Sequence, residues 1–192
     1  MRPAQPSLDT DGHLYVFAYG SLIWRPGFAH LGMHAALLRG FHRRFCLRSK
    51  FYRGTPEAPG LVLGLDRGGA CRGVAFRVSG AEAAEVLAYL DARENVANEI
   101  VYTRRLLPLW LPESGVTVRA VTYVARRGHP AYCRLGPEET ASIIARGIGQ
   151  AGSNRDYLLN TLTHLAAIGV RDHGLERIAA LLPQPAVPAF GL

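Results

Sequence analysis

The order of elements predicts an α+β protein: a mostly antiparallel sheet that closes as a small barrel, flanking helices, and a helical C-terminal third. Three observations predict it. Apolar, β-rich runs separated by glycine and proline turns recur as far as Ala125, with one helix-forming run among them. That run opens with a capping-box spacing at Ser79 and Glu82. After Pro137 the composition turns helical and stays so.

Leu14–Tyr19 is an apolar run that reads as a short buried strand, ending at Gly20-Ser21. Pro26-Gly27 marks a further turn. From His34 to Leu47 the pattern is that of a strand broken near Gly40. Residues 53–60 form a loop, Arg-Gly-Thr-Pro-Glu-Ala-Pro-Gly. Strands are expected over Leu61–Leu65 and Arg72–Val78, joined by a turn at Asp66-Arg67-Gly68-Gly69. The helix covers Ala81–Arg93, with Val86, Leu87 and Leu90 on its apolar face. Two more strands, Ile100–Leu111 and Val116–Ala125, flank the turn Pro112-Glu113-Ser114-Gly115. Helices are expected over Pro137–Ile148, Arg155–Ile168 and Gly174–Leu182. No internal repeat is visible. A single domain over 1–192 is the expectation, with 1–12 and 183–192 as loose tails.

With 48% apolar and 19% charged residues, the chain has the composition of a globular protein. No apolar stretch is long enough to span a membrane and no secretory h-region is present, so the expectation is a cytoplasmic protein without a membrane partner. Cys46, Cys71 and Cys133 lie far apart without a C-x-x-C pair, which argues against zinc or a disulfide framework. His30 and His34 have i,i+4 spacing but no third ligand nearby, so no metal site is expected. The formal charge is +7, and all but one of the 22 basic residues are arginine. They are scattered singly or in pairs, with no run of five and no nucleic-acid motif. A small anionic substrate, held by arginine forks, fits this pattern without a nucleic-acid partner.

No G-x-S-x-G elbow, P-loop or G-x-G-x-x-G is present. Two features are left. Tyr19-Gly20-Ser21-Leu22 stands where a strand stops, and consecutive N–H groups in such a turn make a nest for carboxylates or oxyanions. Asp91-Ala92-Arg93-Glu94 ends the capped helix, where a buried acid sits against the negative pole of the helix dipole. Such an acid gains a raised pKa and can serve as a base near neutrality. Spacing alone leaves Asp91 and Glu94 both open, and Glu85 reads as a surface carboxylate.

Val16-Phe17-Ala18-Tyr19-Gly20-Ser21-Leu22-Ile23-Trp24 resembles the opening signature of the ChaC family of γ-glutamylcyclotransferases. Further blocks follow in the family's order. They are Arg43-Arg44-Phe45 with Arg53–Gly60, Arg72–Arg77, Tyr89–Glu94, His129–Tyr132 and Asn154–Leu158. The resemblance covers Leu14–Leu182. It implies a γ-glutamylcyclotransferase-like fold without a cofactor, Glu94 as the catalytic base, and Tyr19, Gly20, Ser21 and Leu22 as the loop that holds the glutamyl group. Glu85 matches a further acidic position, expected to be supporting. After the base the familiar animal members continue Gly-Gly-Tyr, whereas this chain reads Asn95-Val96-Ala97-Asn98-Glu99-Ile100-Val101-Tyr102.

The implied reaction is cyclisation of the glutamyl end of glutathione to 5-oxoproline, releasing Cys-Gly. Arg53 is the candidate for a carboxylate at the glycyl end, and Tyr157 for orienting Glu94 or the substrate. The alternatives are a cyclotransferase for other γ-glutamyl amino acids or amines, and an inactive basic binding scaffold.

Overall fold

The computed structural model describes residues 8–94 and 100–183. β1 (His13–Ala18) pairs antiparallel with β3 (Gly60–Ser79) on one side and parallel with β5 (Val116–Ala125) on the other. Covered on both edges, it is buried from Leu14 to Ala18, which is why its sequence is apolar throughout rather than alternating. β2 (Gly32–Ser49) pairs along nearly its whole length with β3, and β4 (Tyr102–Leu111) forms a hairpin with β5. Among the described residues, these five strands close a barrel in the order β1-β3-β2-β4-β5, with β5 returning to β1. Phe17, Phe45, Phe76, Leu38, Leu65 and Leu109 are fully buried in its core.

The long ribbon corrects two expectations. β2 is continuous over 32–49 rather than broken at Gly40, and the two strands expected over 61–65 and 72–78 are one, β3. Arg39 pairs with Ala70 and Phe41 with Arg67, so Gly40 opposes the two residues Gly68 and Gly69. All three glycines have positive φ (82°, 103° and 67°). The signal read as a turn is a bulge, which bends both strands together and lets the ladder resume.

α1 (Ala83–Glu94) begins two residues later than its capping-box spacing predicts. Ser79 still belongs to β3, and its Oγ accepts from Ala81 N at 3.3 Å, leaving a turn before the helix. Val86, Leu87 and Leu90 are buried, as the apolar spacing predicts. β4 starts at Tyr102 rather than Ile100.

The C-terminal third holds α2 (Pro137–Arg146), a two-residue hairpin β6 (Ile148–Gly149) and β7 (Gly152–Ser153), α3 (Asn154–Ala167) and α4 (His173–Ala180). α2 stops short of Ile148 because that residue pairs with Ser153. Ser153 Oγ caps α3 by accepting from Asp156 N, and Asp172 Oδ1 caps α4 by accepting from Leu175 N. Of the expected tails, residues 8–12 form a turn in which Asp9 Oδ1 accepts from His13 N at 2.7 Å; residues 1–7 and 184–192 lie outside the described residues.

Asn154 fastens the helical third to the barrel. It is fully buried, its Oδ1 accepts from Leu61 N at 2.6 Å, and its Nδ2 donates to Leu61 O at 2.8 Å. Asn154→Ala strands both backbone groups of a buried residue, so we expect a stability loss of about 2–4 kcal/mol in urea denaturation. A loss below about 0.5 kcal/mol would contradict this role.

Candidate active site

The end of β1, the last turn of α1, both strands of the β4–β5 hairpin and the first turn of α3 meet at one end of the barrel. There they enclose a pocket lined by Phe17, Tyr19, Gly20, Ser21, Leu22, Leu63, Glu94, Tyr102, Tyr123 and Tyr157. The pocket encloses about 370 Å³, its open mouth included. The structure thus brings together Glu94, the Tyr19–Leu22 loop and Tyr157. Glu85 does not belong to it, being an exposed residue nearer the start of α1. Arg53 stands just outside the lining, its guanidinium over the Tyr157 ring at 4.8 Å, and Nη1 donates to Ala151 O and Ser153 O.

Beyond β1 the chain turns through a short 3-10 segment, Ser21–Ile23. Ile23 N donates to Gly20 O, and Arg25 N donates to Ser21 O. Among the described residues, no backbone carbonyl accepts from the N–H of Ser21 or Leu22, which leaves these donors to a ligand. Two arginines hold the turn in place. The buried Arg43 donates through Nε to Tyr19 O, through Nη2 to Arg72 O (2.7 Å) and through Nη1 to Asp172 Oδ2 (2.7 Å). From α1, Arg93 donates to Ser21 Oγ (3.1 Å) and to Arg25 O (2.7 Å).

The two acids at the end of α1 have separate fates, which the spacing left open. Asp91 is fully engaged: Oδ1 accepts from Tyr123 Oη at 2.6 Å, and Oδ2 pairs with Arg104 Nη1 at 2.6 Å. Glu94 faces the pocket, and its nearest cation is Arg93 Nε at a loose 3.9 Å. Only 17% of its side chain is exposed. Burial pushes the Glu94 carboxyl up to about 7, with Arg93 opposing the rise.

Four tyrosines surround it, and burial raises the pKa of each, Tyr157 to about 12, so all are neutral hydroxyls at physiological pH. Three have their protons placed: Tyr19 Oη donates to Tyr123 O, Tyr102 Oη to Leu63 O, and Tyr123 Oη to Asp91. Tyr157 lines the same pocket, and its oxygen lies 3.5 Å from where a Cβ on Gly20 would stand.

Sequence reasoning missed Tyr102, Tyr123, Leu63, Phe17 and the clamping arginines. One signal was available. Each of these tyrosines lies in or beside a β-rich run, and an inward-facing tyrosine needs a partner for its hydroxyl. Burial pushes the thiols up, Cys46 to about 12 and Cys71 to about 11, so neither supplies a thiolate nucleophile. Among the described residues, no group of three His, Cys, Asp or Glu could hold a metal.

The fold is similar to that of solved γ-glutamylcyclotransferases. A yeast γ-glutamylcyclotransferase specific to glutathione superposes with a TM-score of 0.78 at 23% identity, covering 91% of this chain and 99% of the yeast chain. A family model described as ChaC-like protein matches residues 14–184, and the chain belongs to the ChaC family. Among curated relatives, the rat glutathione-specific γ-glutamylcyclotransferase 1 is 36% identical, covering 94% of this chain and 86% of its own length. The Escherichia coli glutathione-specific γ-glutamylcyclotransferase is 34% identical over 86% of this chain and 71% of its own. The Schizosaccharomyces pombe enzyme of the same name is 33% identical over 93% and 97%. Of the departure noted at Asn95–Tyr102, residues 95–99 lie outside the described residues.

A carboxyl whose pKa rises on folding costs stability as soon as the unfolded chain's carboxyl ionises while the native one holds its proton. The cost is absent below about 4.5, grows as pH rises, and is complete above about 7. Glu94→Gln is therefore expected to stabilise the protein at pH 8, by at most about 3 kcal/mol, and to change little at pH 4. Thermal unfolding of both proteins across this range checks it, and a destabilised Glu94→Gln at pH 8 would contradict the dry environment assigned to Glu94.

Proposed function

We propose that the protein degrades glutathione by cyclising its γ-glutamyl end to 5-oxoproline, releasing Cys-Gly. The observation that carries this reading is a single, only loosely paired carboxylate in a pocket of neutral hydroxyls and backbone N–H groups without a carbonyl partner among the described residues. Three relatives at 33–36% identity are named glutathione-specific, which supports glutathione over other γ-glutamyl compounds as the substrate.

The substrate carries its own nucleophile. Its α-amine reaches the γ-carbonyl to close a five-membered ring, so the site has to hold a folded conformer rather than gather two molecules. Glu94, ionised, attracts the ammonium and takes one proton as the nitrogen attacks the γ-carbon. The N–C bond forms, negative charge moves to the carbonyl oxygen, and the bond to the cysteinyl nitrogen then breaks. Glu94 returns the proton to that leaving nitrogen, and the second proton shed by the ring nitrogen passes to it as well, so that the lactam keeps one N–H and Cys-Gly leaves as an ammonium. No water enters the balance. A carboxyl with a pKa near 7 suits both halves of this transfer.

The N–H groups of Ser21 and Leu22 receive the negative charge of the glutamyl moiety, at its α-carboxylate or at the oxyanion. Tyr157, in the lining of the same pocket, is the further donor to that group in this reading. Arg53, over the Tyr157 ring at the pocket rim, suits the glycyl carboxylate. A cytoplasmic setting belongs to this reading, since all three cysteines are free thiols, as in a reducing compartment.

Purified protein incubated with reduced glutathione is expected to yield 5-oxoproline and Cys-Gly in equal amounts by mass spectrometry. Glu94→Gln should lose about 10²–10⁴ of the rate, and a variant retaining more than about a tenth would reject Glu94 as the base. In the wild type, kcat/KM is expected to rise with pH as Glu94 ionises, half-maximal near 7. Cysteine-free γ-glutamyl amino acids turned over as fast as glutathione would move the substrate to γ-glutamyl compounds in general.

A further inference from the structure

The last turn of α1 carries Glu94 but lacks an apolar anchor. Leu90 is the last buried apolar residue of the helix; Ala92 is exposed, and Asp91, Arg93 and Glu94 are each partly covered. A helix end without buried side chains frays unless polar contacts hold it. Two tethers are present, one on either side of the pocket. Arg93 reaches the 3-10 turn, as described above. Asp91 reaches the barrel wall through Tyr123 and Arg104.

The wall tether is unusually well built. Arg104 of β4 and Tyr123 of β5 are directly opposed in the β4–β5 ladder, so both side chains rise from one face of adjacent strands. They converge on one carboxylate, each at 2.6 Å and each on its own oxygen. An exposed ion pair alone contributes little, but here the second partner is a neutral hydroxyl in the pocket lining, and both donors are fixed by the ladder. Asp91 and Glu94 are three residues apart and lie on the same side of the helix. What fixes the first therefore fixes the second.

We propose that Arg104, Asp91 and Tyr123 form a positioning unit that seats the last turn of α1 on the barrel and thereby sets the Glu94 carboxyl in the pocket. Arg104 and Asp91 do not line the pocket, so they act through Glu94 and through the Tyr123 ring, whose hydroxyl is spent on Asp91. Their role in turnover rests on the reading of Glu94 as the base; their role in placing its carboxyl does not.

Arg104→Gln is the cleanest variant, because it removes the charge at a partly exposed position outside the pocket. With the base displaced, kcat on reduced glutathione is expected to fall by roughly tenfold or more while KM stays within about twofold. Arg104→Lys, which keeps a cation in reach of Asp91, should recover most of the rate. Asp91→Asn combined with Arg104→Gln should be no worse than the more damaging single change, since both break one unit.

A second readout needs no turnover. In protein carrying ¹³C-carboxyl glutamate, the resonance lost in Glu94→Gln is followed through pH. Its midpoint is expected near 7 in the wild type and lower by about a unit in Arg104→Gln, as the carboxyl gains water. An inactive wild type would overturn the functional reading and leave this titration to decide the positioning one. An unshifted Glu94 midpoint in Arg104→Gln, or a loss confined to KM, would overturn the positioning unit.

Discussion

A carboxyl that is largely buried and only loosely paired with a cation is the constraint around which this protein is arranged. Glu94 stands at the negative pole of α1, and Arg93 compensates it only loosely at 3.9 Å. Burial of that kind opposes folding, so it persists only where surrounding structure is over-determined. The barrel provides this. Its closure brings the end of β1 and the β4–β5 hairpin to one rim, where α1 and α3 complete the enclosure. The tyrosines then fill the walls with groups that exclude water without adding charge. A carboxyl so placed lies near neutrality, where it can accept a proton and give it back.

Arginine does much of the fastening. Arg43 ties the end of β1 to β3 and to the cap residue of α4; Arg93 joins α1 to the 3-10 turn; Arg104 joins β4 to α1; Arg53 bridges the β6–β7 hairpin to the Tyr157 ring. Asp66, buried in β3, is shared by Arg127, Arg44 and Tyr132. A guanidinium offers five donors in a fixed fork, which suits binding several carbonyls at once. Part of the chain's positive charge is thus structural, and the scattered spacing of its arginines follows from the separate joints they serve.

The barrel and its helices were largely legible in the sequence because apolar runs, caps and turns are local signals. β1, α1 and the β4–β5 hairpin all stand near their expected places. The ribbon of β2 and β3 was not, since Gly68-Gly69 reads as a turn until the opposing Gly40 is known to bulge with it. The site was legible in its chemistry but not its assembly. Glu94 and Tyr19–Leu22 stood out by resemblance, yet nothing local distinguished Asp91 from Glu94 as the free acid. That distinction arises from Arg104 and Tyr123, far along the chain and adjacent only through strand pairing. Tyr102 likewise reads as an ordinary strand residue until the closed barrel turns it inward.

Cyclisation by the substrate's own amine takes no oxygen from water, and isotopic oxygen tests this directly. Turnover of reduced glutathione in H₂¹⁸O should give 5-oxoproline free of ¹⁸O, with an equal amount of Cys-Gly. Glutamate carrying ¹⁸O in its γ-carboxylate would mean that water attacks the γ-carbonyl, and would contradict an intramolecular cyclisation.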